Sequence, residues 1–348
     1  MRRGLGATIV GGLLIALAGC SREGQQSILN PQGERAEAVN GLWELMLWIG
    51  VIVWVIVSVV LVVALVRRRR AREERARNEG ADPDADATAN GRRAIWIVGI
   101  AGAIVPGLVI AGVTVASTLV TRDIDPAQAG ETPTVEVIGH QYWWEVVYPE
   151  DDVVSANEIH IPVGERVRVE VTSDDVIHSF WVPELSGKMD MIPGRTNALW
   201  LHADEPGLYW GQCAEFCGLQ HALMRIVVVA HEAEEYESWL EARQEPAEWT
   251  PGDEESEEVA FGREVFMSSS CVYCHTIEGT AANATIGPDL THIASRETLA
   301  AGILPNTRGD LAGWILDPQS IKPGNKMPGT DLEGEELQAL LTYLESLE

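Results

Sequence analysis

The chain has 348 residues, 25 basic against 52 acidic side chains and a formal net charge of −27. A surface this acidic excludes binding of nucleic acid or anionic lipid headgroups through the surface as a whole. Five cysteines and eight histidines are too few for a disulfide-stapled scaffold but enough for one or two metal or cofactor sites, and the length suits two or three domains.

Arg2 and Arg3 precede an apolar run, Ile9 to Leu17, and small residues lead into Cys20. This is the form of a secretory signal over residues 1–19. Leu17-Ala18-Gly19-Cys20 resembles a bacterial lipobox, which would make Cys20 the lipidated first residue of the mature chain. An ordinary signal with an incidental cysteine is the alternative.

From Leu45 to Val66 every residue is apolar or small. These 22 residues reach about 33 Å as a helix, enough to cross a hydrocarbon core. Membrane spans are therefore expected over residues 42–66 and 94–120, the second containing Pro106. The intervening loop, residues 67–93, holds Arg67, Arg68, Arg69, Arg70, Arg72, Arg75, Arg77, Arg92 and Arg93. By the positive-inside rule that loop is cytoplasmic and everything after Val120 is external. Two buried core helices of a globular domain would not tolerate such long uncharged stretches as easily. Residues 121–348 carry 42 acidic and 12 basic side chains, so the acidity belongs to the external part.

Residues 131–232 alternate short Val-, Ile-, Tyr- and Trp-rich stretches with turn residues. Strands are expected over 134–139, 142–148, 166–172, 178–182, 198–202, 208–211 and 225–229, as in a sandwich or Greek-key barrel. Near the end stand Cys213, Glu215, Cys217, His221 and Met224. Soft and borderline donors crowded on one loop favour copper. A mononuclear copper site needs one cysteine, so the second thiolate points to two bridged coppers. Each copper then needs an imidazole, from His221 and from His178 at the start of a strand. A Cys213–Cys217 disulfide leaves His221 and Met224 unexplained, and zinc has little use for a thioether.

Across residues 40 to 230 the chain resembles subunit II of haem-copper cytochrome c oxidases. The likeness rests on the copper loop, on Gly187 to Arg195, on Pro206-Gly207-Leu208-Tyr209 and on Gly139-His140-Gln141-Tyr142-Trp143-Trp144. The resemblance implies an all-β cupredoxin domain behind a two-helix hairpin. In it Cys213 and Cys217 bridge a binuclear CuA centre, His178 and His221 each bind one copper, Met224 is a weak axial ligand and Glu215 offers its carbonyl. It also implies a magnesium or manganese ion at the interface with subunit I, reached by the Glu215 carboxylate, with Asp190 on that face. The chain departs from the family in two places. Tyr142 occupies the usual electron-input tryptophan position, and Arg93 stands where a glutamate linked to a proton path is usual.

Residues 245–258 read as an acidic linker. In residues 259–348, Cys271-Val272-Tyr273-Cys274-His275 has the spacing that forms two thioethers to one haem with the imidazole beneath the iron. Met327 is the natural sixth ligand, because sulfur raises the potential and closes the iron to oxygen. Met267 lies too near the attachment loop. Gly287-Pro288-Asp289-Leu290 and a closing helix over 333–347 complete a resemblance to class I cytochrome c, a small all-α domain. His292 is expected as a surface or propionate-side residue, and His140, His160, His202 and His231 as polar strand or loop residues.

Haem c and a dicopper centre on one membrane-tethered chain make an electron wire. The resemblance implies the electron-accepting subunit of a caa3-type oxidase of the bacterial cytoplasmic membrane, partnered by subunit I and other oxidase subunits and fed by an external, basic donor such as a cytochrome c. This chain holds no oxygen-reducing metal of its own. A CuA-type nitric oxide reductase subunit and a free-standing membrane-anchored redox or copper carrier are the competing readings. Nitrous oxide reductase is excluded because the chain is too short for a propeller domain.

Overall fold

The computed structural model describes residues 24–77, 95–129, 134–244 and 256–348. The signal segment, Cys20, Arg93 and most of the acidic linker lie outside the described residues.

Residues 38–124 form one compact unit. Its first helix, α1, is Glu34–Arg77, and the second, α2, runs Ile95–Asp123. Both contain stretches long and apolar enough to cross a membrane, with Trp54, Ile95 and Leu108 exposed to the surroundings. Residues 67–77, expected as loop, continue α1. Arginine and alanine are good helix formers and gain from the hydrogen-bond ladder already running. The α2 helix opens into a π segment at Ile100–Ile104, just ahead of Pro106. Proline has no N–H and its ring crowds the carbonyl four residues back, so a widened turn relieves both.

The other unit, residues 1–37 with 125–348, contains a β sandwich and a helical domain packed together. One sheet has the order β3-β2-β1-β5-β8, built from β1 Thr134–His140, β2 Trp143–Tyr148, β3 Val153–Ala156, β5 Val167–Ser173 and β8 Asn197–Leu201. The second has the order β4-β10-β9-β6-β7, with β4 Glu158–Pro162, β6 His178–Trp181, β7 Met189–Met191, β9 Gly207–Cys213 and β10 Arg225–His231. Strict alternation along β1, β2 and β5 sends Val135, Val137, Trp144, Val146, Val169 and Val171 into the core between the sheets. Strands β3, β4 and β7 were not expected. The Glu158–Pro162 strand is buried along its whole length, so it shows no period-two pattern to read.

Helix α3, Ala233–Gln244, follows β10. The helical domain begins with α4, Glu257–Ser268, capped by the Ser256 hydroxyl, so the last residues assigned to the linker start a helix instead. It closes with α5, Gly334–Glu345, whose capping box pairs Glu333 with Glu336. The α4 and α5 helices touch backbone to backbone at Gly262, where a Cβ would lie 1.9 Å from the Ala339 carbonyl oxygen.

The two domains of this unit share a bonded seam. The Glu158 carboxylate, fully buried, accepts from the Thr298 N–H at 2.7 Å, the Thr298 hydroxyl at 2.9 Å and the Glu297 N–H at 3.1 Å. Arg225 N–H donates to the Ala301 carbonyl at 3.0 Å, and the Gln220 side-chain amide donates to the Pro323 carbonyl. Glu158→Ala strands those donors in a dry interface and is expected to cost on the order of 2–4 kcal/mol of docking stability. Calorimetry should then resolve separate transitions for the two domains; a single unchanged transition would count against the seam.

Candidate metal and cofactor sites

The described residues carry a ligand cluster of His178, Cys213 and Cys217, whose donor atoms lie within 4.8 Å of one another. Strand β6 begins at His178, and Phe180 two residues on pairs with Cys213 at the end of the antiparallel neighbour β9, so the sheet places His178 and Cys213 on one face at diagonal positions. The loop from 214 to 224 is closed at its base by Cys213 N–H donating to the Met224 carbonyl at 2.8 Å. Inside it the Cys213 and Cys217 sulfurs are 3.7 Å apart, with His178 Nδ1 at 3.8 Å from Cys213. His221 Nδ1 and the Met224 sulfur each lie 3.9 Å from Cys217. The Glu215 carbonyl oxygen lies 3.2 Å from the Cys213 sulfur. All six residues named from the sequence are thus in one place. Both thiols are free rather than joined in a disulfide.

Electrostatics favours a thiolate here. A hydrogen bond from Cys217 draws the Cys213 thiol far below its ordinary range against the cost of burial, and the same bond pushes Cys217 up. Burial alone would lower His178, but hydrogen bonds to Cys213 and Asp175 raise it on balance. Asp175 Oδ1 lies 2.9 Å from His178 Nε2, which fixes the ring with Nδ1 toward sulfur. The ring stacks over Gly139, where a Cβ would stand 2.9 Å from His178 Cδ2. A buried pair of sulfurs, two imidazoles and a thioether fit copper by softness and by charge.

Asp190 and the Glu215 carboxylate are both exposed, and Glu215 Oε1 accepts from Phe216 N–H at 3.1 Å. The chain positions these acids on adjoining backbone, since Asp190 pairs with Ser179 and the Ser179 carbonyl accepts from Ala214 N–H.

The second site is a cavity of ≈ 290 Å³ in the C-terminal domain, lined by Cys271, Cys274, His275 and Met327 together with apolar side chains such as Leu290 and Ile315. Ser269 caps the short turn Ser270–Tyr273 and His275 N–H closes it onto the Cys271 carbonyl at 3.1 Å. His275 Nδ1 donates to the Pro288 carbonyl at 2.7 Å. A carbonyl can only accept, so Nε2 keeps its lone pair for a metal. Gly287 is required beneath that ring, because a Cβ there would sit 2.7 Å from His275 Cε1. Two thiols, an oriented imidazole and a thioether around an apolar slot fit a c-type haem. Met267 packs on the domain core and does not reach the cavity. His292, expected at the surface or on the propionate side, is neither on the surface nor in the cavity wall, but buried with Nδ1 donating to the Glu348 carbonyl at 2.6 Å, because the C-terminus folds back over it.

Several positioning residues escaped the sequence reading. Gln141 Nε2 donates to the Cys217 carbonyl at 2.6 Å, and the Tyr142 hydroxyl accepts from Leu219 N–H at 3.0 Å. Both lie about 75 positions from the loop they hold, a separation no local pattern reveals. His140 pairs with Glu145, and His160 bonds to His231 and stacks on Trp239, so these histidines are structural.

The fold and the two donor sets together define a membrane-anchored copper and c-haem electron-transfer subunit. Residues 152–231 match the family described as Cytochrome C oxidase subunit II, periplasmic domain, and residues 259–348 match Cytochrome c. "Cytochrome c oxidase subunit 2" of Alkalihalophilus pseudofirmus is 36% identical over 96% of this chain and 94% of its own length. The Bacillus sp. PS3 protein of the same name is 34% identical over 69% of this chain and 70% of its own, and that of Bacillus subtilis 34% over 63% and 64%. The chain belongs to the cytochrome c oxidase subunit II family, in the form that carries a cytochrome c domain. As such it is a component of an oxidoreductase complex and a partner of subunit I, and its two domains imply copper and haem c.

Proposed function

We propose that this chain is the electron-accepting subunit of a caa3-type oxidase, anchored in the bacterial cytoplasmic membrane by two spans with both redox domains outside. When bound, the haem and the copper pair supply one-electron relay from an external donor toward subunit I, where oxygen is reduced. Cys271 and Cys274 would hold the haem covalently, with His275 and Met327 as the residues that would ligate its iron. Cys213 and Cys217 would hold the copper pair between them, with His178, His221, Met224 and the Glu215 carbonyl completing the donor set. The Glu215 carboxylate, with Asp190 nearby, faces the magnesium or manganese position at subunit I. Cys20 carries the lipid. The acidic exterior suits a basic donor.

The observation that carries this reading is that both donor sets lie in one compact unit, joined by the Glu158 seam and by Gln220 reaching from the copper loop to the segment bearing Met327. Electron transfer between them needs no diffusional search. Native purification tests the reading: the chain should come out with a haem-copper subunit I, and recovery of intact chain without one would sink it. Assaying oxygen against nitric oxide as terminal acceptor then separates the oxidase from a nitric oxide reductase.

A further inference from the structure

The haem cavity is not closed by its own domain. Gln141, Tyr142, Trp143 and Asn157 of the sandwich complete the wall that also contains Thr298, Ala300 and Lys322. In that wall Lys322 is only 2% exposed. Its ammonium donates to the Ala300 carbonyl at 2.9 Å and lies 3.5 Å from the Tyr142 carbonyl, with no carboxylate partner among the described residues. A desolvated cation held by neutral carbonyls alone is expensive, and burial pulls its pKa down to about 8. Arg296 lines the same cavity and donates to the Asp289 backbone carbonyl, again without an ion pair to a side-chain carboxylate among the described residues. Two cations therefore border an apolar slot on the side facing the sandwich.

A haem attached through Cys271 and Cys274 has its thioethers on two pyrroles and its two carboxylates on the other two. The attachment turn borders the open rim, where Tyr273 and Ile286 are 73% and 69% exposed. The carboxylates must then extend toward another wall. Resting on the haem assignment made above, we propose that Lys322, seconded by Arg296, binds the haem carboxylates, so that the carboxylate edge of the ring faces the copper domain and the thioether edge faces solvent. The Tyr142 carbonyl faces the Lys322 ammonium while the Tyr142 hydroxyl accepts from Leu219 N–H of the copper loop, so the Lys322 charge stands between the two redox sites. Electrons would enter by the Tyr273 and Ile286 rim and leave past Tyr142. Lys322 is a positioning residue in this arrangement and touches no oxygen chemistry.

The test uses the full-length, haem-loaded chain in the oxidase. Removing a cation from a low-dielectric wall favours oxidised haem, so Lys322→Met should shift the haem reduction equilibrium about tenfold toward oxidation, which is ~59 mV for a one-electron couple. Lys322→Arg should stay within roughly twofold of the parent, as a retained charge requires. An unchanged potential in Lys322→Met overturns the proposal. Should both variants fail to fold, the unsubstituted chain decides: with ¹³C in the haem carboxylates, the infrared redox-difference band should be that of a dry ion pair, and a water-solvated band overturns the assignment. Absence of covalent haem from the unsubstituted chain would instead overturn the haem reading itself.

Discussion

Cys217→Ser is expected to abolish the two-copper centre, leaving at most one copper per chain where the parent binds two, while the covalent haem is retained. The serine hydroxyl is a hard donor that stays protonated near neutral pH, and it cannot bridge two soft metals as a thiolate does. Cys217 is the hub of the site: its sulfur lies next to Cys213, His221 and Met224. The Gln141 amide bond to the residue 217 carbonyl survives the change, so the loop keeps its path. The fold should therefore lose only about 1–2 kcal/mol, from a hydroxyl in a site that is 3% exposed. Metal analysis and the copper absorption spectrum check this, and retention of two coppers would show that Cys217 is not a bridge. Reduction of copper by the haem domain should vanish with the same substitution.

Met327→Ala is expected to leave haem attached, since Cys271, Cys274 and His275 are untouched, but to remove the sixth ligand. The iron becomes five-coordinate or takes water, and the potential falls by tenths of a volt, within the ~0.8 V range that axial ligands span. Gln319 Nε2 holds the Met327 carbonyl at 3.0 Å and the Asn325 side chain accepts from its N–H at 2.7 Å, so the backbone there does not depend on the side chain. Met327 is only partly buried, which keeps the stability loss below that of a core methionine. An unchanged sulfur-ligation spectrum would show that another residue serves. Loss of haem altogether would show a role in attachment rather than ligation.

Cys217 and Met327 differ in how their place in the chain declares them. Cys213, Cys217, His221 and Met224 fall within twelve positions, and Cys271, Cys274 and His275 within five, so local spacing alone declares their chemistry. Met327 is 52 positions from His275, yet it was named from the sequence, and among the described residues it is the methionine that lines the cavity. His178 required knowing that a strand begins there, which the hydrophobic pattern supplied. Helix ends were less legible, because α1 carries its hydrogen-bond ladder into the arginine run beyond the apolar span.

What the sequence determined by itself was the inventory: two apolar helices, an alternating β domain, a helical domain and two complete donor sets. These depend on periodicity and short spacing, which local physics controls. The tertiary structure decided the relation between the copper and haem domains. An acidic linker suggested two tethered bodies, but buried Glu158 reaches Thr298 across 140 positions, Gln220 reaches Pro323 across 103 and Lys322 reaches Tyr142 across 180. Each contact is made by one polar side chain with mainly backbone partners, and backbone groups are the same in every residue. Such contacts leave no compositional trace, so only the folded chain shows that the two donor sets share a wall.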